Sequence, residues 1–217
     1  MSSPAWFPMT NEPRYPLLAL ARLRMGIDGA GITTLVAGAG CPLHCRWCIN
    51  RRLLKEGAPE QVTAAQLLER VRIDDLYFRA SGGGVTFGGG EPLLHAEFLR
   101  QFRSLAPDGW KIRLETSLAV PPDQVIAAAE AADEFIIDCK DMNPEIYRRY
   151  TGGDRDLMVS NLRRLLDLAG AERILVRVPL IPDYNTEKDQ ESSAASLKSL
   201  GITRFDLFPY SRPNQSP

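Results

Sequence analysis

The sequence has almost no excess charge of either sign and no long apolar run. Its 26 Lys and Arg residues nearly balance its 27 Asp and Glu residues, so the formal net charge of the 217-residue chain is −1 at pH 7. A nucleic-acid-binding domain normally carries a basic excess. No apolar run approaches the roughly 20 residues that span a bilayer. We therefore expect neither a nucleic-acid partner nor a membrane association.

A secretory signal peptide is also missing. The first residues, MSSPAWFPMTNEPRYP, lack the charged region followed by an apolar stretch that marks such a peptide, so we expect a cytoplasmic protein. The four prolines of this segment predict an irregular arm over residues 1–23. Residues 24–217 are expected to form one domain.

Cysteine is scarce and unevenly distributed. Of the four cysteines, Cys41, Cys45 and Cys48 fall within eight residues, and Cys139 lies far from them. A secreted disulfide scaffold distributes its cysteines more evenly and in pairs. The pattern is typical of a metal site in a reducing compartment, with Cys139 as a core residue.

Apolar runs alternate with segments of helical spacing along most of the chain. Strands are predicted at residues 32–37, 83–87, 111–115, 134–139, 173–181 and 204–208. Helices are predicted at residues 63–78, 93–105, 122–131, 143–150, 155–169 and 188–200. This alternation predicts an α/β fold with a parallel sheet covered by helices. Chemistry in such folds is built at the carboxyl ends of the strands, and most of the unusual residues fall there.

The three clustered cysteines have the spacing C-x3-C-x2-C. Three thiolates can hold three irons of a cubane iron–sulfur cluster and leave the fourth iron open to a chelating substrate. Thiolates also suit zinc, so a structural Cys3His site with His44 as fourth ligand is the alternative. We favour the cluster because His44 adjoins Cys45, whereas closed zinc sites normally draw their ligands from two separated pairs.

A glycine-rich segment ending in Glu91 lies between a predicted strand and a predicted helix. Glycines let a backbone approach a ligand closely, and the carboxylate behind them can accept hydrogen bonds from an ammonium group. The alternative is a tight turn with a solvated glutamate. On a later strand, Asp138 and Lys140 are expected to point the same way because side chains at i and i+2 share a strand face. A structural ion pair of Asp138 with Lys140 or Arg177 is the alternative there.

In their order these motifs resemble the radical S-adenosylmethionine (SAM) superfamily, specifically the activating enzymes of glycyl radical enzymes. The likeness covers about residues 24–210. It is carried by Arg24-Met-Gly-Ile-Asp-Gly-Ala-Gly31, the cysteine loop, Gly83-Gly-Val-Thr-Phe-Gly-Gly-Gly-Glu-Pro92, Leu114-Glu-Thr-Ser117, Asp138-Cys-Lys-Asp-Met-Asn143, Val176-Arg177 and Leu207-Phe-Pro-Tyr210. The resemblance implies a single α/β domain folded as a partial (β/α)6 barrel of the TIM type.

The resemblance also implies a reaction and its partners. A [4Fe–4S] cluster on Cys41, Cys45 and Cys48 would reductively cleave SAM to a 5′-deoxyadenosyl radical, which abstracts a glycine α-hydrogen from a partner glycyl radical enzyme. A flavodoxin- or ferredoxin-type protein would supply the electron, and the enzyme would be a monomer. No further cysteine lies between Cys48 and Gly83, so we expect no ferredoxin-like insert. A minimal barrel that is open on one side suits a macromolecular substrate.

The same likeness assigns roles to individual residues. Lys140 and Arg177 would bind SAM or position the substrate backbone, and they are the catalytic candidates. A monovalent cation beside the SAM carboxylate would be held by Glu115, Thr116 and Asp138. The cofactor-binding residues implied in this way are Trp47, Gly89, Gly90, Glu91, Glu115, Thr116, Asp138, Lys140, Arg177 and Phe208.

Three positions bear on how far the family's residue roles apply to this sequence. The family usually has Asp at the position of Glu115, and many of its members have His at the position of Ser211. Asp28 matches a family loop associated with docking of the glycyl segment, although Asp-Gly is also an ordinary turn signal. His95 is expected to lie on a helix surface.

Other functions stay open at this point. One is another minimal radical SAM enzyme, which would act on a small molecule like carboxy-deazaguanine synthase or would activate an anaerobic ribonucleotide reductase. The other is a non-enzymatic binding module stapled by zinc. Iron and sulfide content distinguishes the enzyme from the zinc module.

Overall fold

The computed structural model describes residues 12–211, in which eight strands and eight α-helices follow one another. The strands are β1 (Tyr15–Met25), β2 (Ile32–Gly38), β3 (Glu60–Val62), β4 (Gly84–Gly89), β5 (Lys111–Thr116), β6 (Glu134–Asp138), β7 (Ile174–Leu180) and β8 (Phe205–Pro209). The helices are α1 (Arg51–Glu56), α2 (Ala64–Val71), α3 (Asp75–Ser81), α4 (Ala96–Leu105), α5 (Pro122–Ala131), α6 (Pro144–Thr151), α7 (Arg155–Ala169) and α8 (Glu187–Ser199). Within residues 12–211 no helix is both long and apolar enough to cross a membrane.

All eight strands form one open sheet in the order β3-β1-β2-β4-β5-β6-β7-β8. The six strands β2 and β4 to β8 pair in parallel, whereas β1 is antiparallel to both β2 and β3. Six parallel strands with helices between them form the predicted single-domain partial barrel, so that prediction is confirmed. Because the strand order does not close on itself, the barrel is open between β8 and the β3–β1 edge.

The predicted strands and helices occur, with shifts of a few residues at their ends. The predicted helix over residues 63–78 is split by the 3-10 turn Arg72–Asp74. The reason is that Asp74 points into the protein, where its buried carboxylate accepts hydrogen bonds from Arg22 on β1 and from the Thr34 hydroxyl at 2.7 Å. Thr63 is the N-cap of α2 and forms a capping box with Gln66.

Three elements were not predicted from the sequence: β1, α1 and β3. The irregular arm expected over residues 1–23 is wrong from Tyr15 onward, and residues 1–11 lie outside the described part of the chain. Tyr15 and Leu17 point into the core, and Pro16 is tolerated because it lies at the start of the strand, where a proline costs little.

The outward faces of the strands pack against the helices through a core rich in aromatic rings. Phe87 on β4 lies edge-to-face against Phe102 on α4 at 5.1 Å between ring centroids. Cys139 is completely buried, as predicted. The prediction for His95 is wrong, because its half-buried ring packs edge-to-face against Tyr15 at 5.2 Å. The inward faces and carboxyl ends of the strands are left to form the site.

Candidate active site

A cavity of about 540 Å³ lies at the carboxyl ends of the parallel strands. Every predicted site residue except Trp47 contributes to its lining. These lining residues are Cys41, Cys45, Cys48, Gly89, Gly90, Glu91, Glu115, Thr116, Asp138, Lys140, Arg177 and Phe208. The fold therefore brings together side chains from the cysteine loop and from five of the six parallel strands or the loops that follow them.

The cysteine loop is fixed to the end of α6 by its backbone. The N–H groups of His44 and Arg46 donate to the carbonyls of Thr151 and Tyr150 at 2.8 and 3.0 Å. The guanidinium of Arg51, at the start of α1, donates to the carbonyls of Cys45 and Arg46 at 2.8 and 2.6 Å. The loop is thus held from both sides, and its three cysteines face the cavity as free thiols.

The thiols suit a cluster better than a single ion. Burial raises the pKa of the Cys41 thiol to about 11, and burial likewise raises the pKa of Cys45. A cation is therefore needed to hold these sulfurs as thiolates. Within residues 12–211, no three His, Cys, Asp or Glu side chains gather around a point as ligands of one ion. A zinc staple needs four such ligands, whereas a cubane distributes its three thiolates over three irons.

The glycine-rich end of β4 packs directly against the cysteine loop and the end of β2. Gly89 has a φ of +85°, and the N–H groups of Gly90 and Glu91 donate to the carbonyls of Gly38 and Gly40 at 3.0 and 2.7 Å. A Cβ atom on Gly90 would lie 2.2 Å from the Gly40 carbonyl oxygen. These glycines are therefore required for the two chain segments to meet, apart from any contact with a ligand.

The carboxylate of Glu91 is buried and used within the protein. It accepts hydrogen bonds from the Thr116 hydroxyl at 2.6 Å, from the Ser117 N–H at 2.9 Å, from the Ser117 hydroxyl at 2.7 Å and from the Leu93 N–H at 3.2 Å. A carboxylate offers about four acceptor positions, so these donors use all of them. Burial raises the pKa of Glu91, and the same hydrogen bonds oppose that rise.

Two ion pairs lie in the cavity lining. The Arg177 guanidinium donates to the Glu115 carboxylate, and the Lys140 ammonium lies 2.9 Å from the Asp138 carboxylate. Burial, with a further contribution from nearby Asp138, raises the pKa of Glu115 to about 7. Burial alone lowers the pKa of Lys140, but the neighbouring Asp138 raises it above the usual range overall. Lys140 is thus cationic near neutral pH.

The three side chains predicted to hold a monovalent cation already have protein partners. Glu115 is paired with Arg177 and Asp138 with Lys140, while the Thr116 hydroxyl donates to Glu91 and accepts from the Leu118 N–H at 2.9 Å. These residues therefore do not form an open ligand set for a cation.

The loop that precedes β2 forms the floor of the cavity. The Asp28 carboxylate is buried and accepts from Nε and Nη2 of Arg24, and the Asp28 carbonyl accepts from the Thr86 hydroxyl at 2.9 Å. The Ile27 carbonyl accepts from Arg177. Asp28 thus points inward to Arg24, whereas Gly26, Ile27 and Ala30 of the same loop are exposed.

Sequence reasoning missed several residues of the site. Asn50 follows the last cluster cysteine by two positions, and its amide donates to the Gly89 carbonyl at 2.9 Å. Tyr150 and Asp206 gave no signal of their own. Ser117 and Tyr210 each close a motif quoted above, but they received no role. All of these residues line the cavity.

Comparisons with known proteins match most of the chain. The profile of the radical SAM superfamily matches residues 35–192. The "(2S)-3-sulfopropanediol dehydratase activating enzyme" of Klebsiella oxytoca is 28% identical over 85% of this chain and 78% of its own length. The "Pyruvate formate-lyase 2-activating enzyme" of Escherichia coli (strain K12) is 32% identical over 84% of this chain and 73% of its own length.

Solved structures also match this chain. A domain of a pyruvate-formate lyase-activating enzyme from Bacteroides vulgatus is 30% identical, with a TM-score of 0.50 over 61% of this chain and 86% of that domain. Streptococcus suis SuiB superposes with a TM-score of 0.63 over 83% of this chain and 40% of its own length. At 14% identity, SuiB supports the fold alone.

Proposed function

Because the chain belongs to the radical SAM superfamily, and within it to the activating enzymes of glycyl radical enzymes, we propose that it installs a glycyl radical in a partner enzyme. When bound, a [4Fe–4S] cluster and SAM supply the one-electron chemistry that removes a glycine α-hydrogen. The observation that carries the proposal is the shared cavity, in which three free thiols face the carboxylates and basic groups at the strand ends.

Cys41, Cys45 and Cys48 would hold three irons of the cluster. Their loop is fixed by α6 and by Arg51, which presets the directions of the thiols before the cluster binds. Asn50 connects this loop to the Gly89 carbonyl, so the distance between the cluster and the glycine-rich segment would stay fixed. Preset geometry of this kind lowers the cost of ordering a site when its ligand arrives.

The charge of the cavity suits SAM. Five acidic and three basic side chains line it, and SAM carries a sulfonium, an ammonium and one carboxylate. Lys140 and Arg177 would bind that carboxylate or the backbone of the substrate, while backbone carbonyls at Gly89 and Gly90 would accept from the ammonium group. Glu91 would then act by holding β4 to the end of β5, because its acceptor positions are already used. Phe208 would lie against the adenine, and the place of Trp47 beside that ring stays a prediction.

Two exposed apolar side chains of the cavity lining offer contacts to a protein substrate. They are Ile27 in the loop before β2 and Ile49 in the cysteine loop, which are 57% and 74% exposed. A glycine-bearing segment of the partner would reach the part of the cavity beside Asp28, whose carboxylate is buried. We further propose that a flavodoxin- or ferredoxin-type protein supplies the electron and that the enzyme works as a monomer in the cytoplasm, since free thiols and iron–sulfur chemistry need a reducing compartment.

The experiment is anaerobic reconstitution with iron and sulfide, followed by addition of SAM, a reductant and a candidate glycyl radical enzyme. We expect 5′-deoxyadenosine and a glycyl radical signal by electron paramagnetic resonance. Cys45→Ala should abolish both products, and Cys139→Ala, which removes a buried thiol outside the cavity lining, should retain them. 5′-Deoxyadenosine that still forms in Cys45→Ala, or protein that binds zinc and no iron, would refute the proposal. SAM cleavage without any glycyl radical would point instead to a small-molecule substrate.

A further inference from the structure

A tyrosine just beyond the last strand is bonded to the cysteine loop. The Tyr210 hydroxyl donates to the Trp47 carbonyl, and the Tyr210 N–H donates to the Leu180 carbonyl at the end of β7 at 2.9 Å. Residues 47 and 210 are 163 positions apart in the sequence. The contact therefore joins the first functional loop of the chain to the end of the last strand of the sheet.

A second tyrosine extends this contact to α6. The Tyr150 hydroxyl lies within reach of the Tyr210 hydroxyl, and the Tyr150 side chain is almost completely buried. The Tyr150 carbonyl also accepts from the Arg46 N–H at 3.0 Å. The residues from 46 to 48 are thus held by the backbone of α6 and by the Tyr210 hydroxyl.

The bonded carbonyl belongs to the peptide group that precedes Cys48. This group is planar, so fixing its oxygen also fixes the direction of the Cys48 N–H, which donates to the Cys45 carbonyl at 3.2 Å. The carbonyl and the N–H of the Trp47–Cys48 peptide are therefore both hydrogen-bonded. Rotation of that plane would change the position of the Cys48 thiol relative to Cys45.

The location of the contact adds to its importance. In the described part of the chain, β8 is the terminal strand of the sheet and has a strand neighbour on one side only. Phe208 lines the cavity from this strand. Without a further connection, the open side of the barrel could move relative to the cysteine loop. The Tyr210 hydroxyl supplies such a connection across that side.

We propose that Tyr150 and Tyr210 form a hydroxyl latch that positions the Trp47–Cys48 peptide, and with it the cluster thiol of Cys48, against the last strand. The proposal rests on the proposed function only in that it requires a cluster on the three cysteines. Both tyrosines are positioning residues, since they act through the cysteine loop. Removal of either hydroxyl should leave the fold intact and loosen the hold on the cluster.

The test uses the reconstituted holoenzyme and measures the rate at which an excess of a coloured iron chelator removes iron under anaerobic conditions. Tyr210→Phe and Tyr150→Phe should each release iron about two- to tenfold faster than the wild type, which is the range expected for loss of one hydrogen bond. The double variant should be no faster than the faster single variant, because both substitutions act on the same pair of hydroxyls. Tyr184→Phe is the matched control, since its ring packs against Tyr150 at 5.0 Å.

Iron release from Tyr210→Phe at the wild-type rate would overturn the latch. A rate increase in the double variant equal to the product of the two single-variant increases would also overturn it. If the buried Tyr150→Phe variant does not fold, the comparison of Tyr210→Phe with Tyr184→Phe decides the question, because Tyr210 is only half-buried. A second readout is amide hydrogen exchange over residues 205–211, which cluster loading should slow in the wild type and not in Tyr210→Phe. A wild-type protein that binds no iron would contradict the proposed function instead.

Discussion

The guanidinium of Arg177 on β7 donates to the carboxylate of Glu115 on β5, across the intervening strand β6. The same guanidinium reaches the Ile27 carbonyl in the floor loop and lies 3.6 Å from the Asp206 carboxylate on β8. The Arg177 side chain thus connects β5 and β8 with the floor loop of the cavity. In this arrangement a protein cation occupies the neighbourhood in which the sequence predicted a bound ion.

The first prediction concerns that ion. Because Glu115, Thr116 and Asp138 are occupied by protein donors, SAM binding should not depend on sodium or potassium. Replacing these ions with tetramethylammonium at constant ionic strength should change the dissociation constant for SAM less than twofold. Isothermal titration of the reconstituted enzyme measures this value. A loss of affinity of fivefold or more that potassium restores would show that an ion displaces Arg177 or Lys140.

Glu115 should make stability depend on pH. Its pKa in the folded protein is about 7, against a usual value of 4.5. A raised pKa means that the folded state favours the protonated form, so this contribution to stability is present below about pH 4.5 and is lost as the pH rises to 7. The free energy of unfolding of the wild type relative to Glu115→Gln should fall across this window and become constant above it.

Urea unfolding of the cluster-free protein at pH 5, 6, 7 and 8 measures this difference. Glu115→Gln keeps an oxygen that can accept from Arg177 but removes the titration, so the two proteins differ chiefly in the ionisable group. A difference that does not change between pH 5 and 7 would contradict the raised pKa. A difference that grows with pH would have the wrong sign.

The sequence predicted the parallel sheet and most of its boundaries because buried strands and amphipathic helices leave periodic patterns. It did not predict β1, whose Pro16, Arg22 and Arg24 interrupt the apolar pattern, nor α1 and β3, which are six and three residues long and too short to show a period. The cysteine spacing predicted one side of the site. The pairing of Arg177 with Glu115, 62 positions apart, could not be predicted, since only the folded sheet determines which charges meet.

The hydrogen bonds of Glu91 lead to a prediction about stability. Glu91→Gln replaces one acceptor oxygen with an NH2 group that faces the donors from Leu93, Thr116 and Ser117. At least one donor would lose its partner in a buried site, at a cost of about 1–3 kcal/mol. We expect this loss in the free energy of unfolding of the cluster-free protein, measured with urea.

Glu97→Gln provides the control. It is the same substitution on the exposed face of α4, and it should change the free energy of unfolding by less than about 0.5 kcal/mol. If Glu91→Gln is as stable as the wild type and is impaired only in SAM binding, then the carboxylate serves the ligand rather than the fold.

The last prediction concerns the floor loop, in which two glycines differ in their surroundings. Gly26 and Gly29 both have positive φ angles, of 71° and 112°, so alanine at either position incurs backbone strain of about 1–2 kcal/mol. A Cβ on Gly26 would meet nothing within 4 Å, whereas one on Gly29 would lie 2.4 Å from Nε of Arg113. Arg113 cannot easily move aside, because it is buried and donates to the Glu134 carboxylate at 2.5 Å. Gly29→Ala should therefore destabilise the protein by at least about 1 kcal/mol more than Gly26→Ala, the lower end of the cost of overpacking a core. Thermal unfolding of the two cluster-free variants side by side measures the difference, and equal melting temperatures would mean that the floor loop is free to shift away from Arg113.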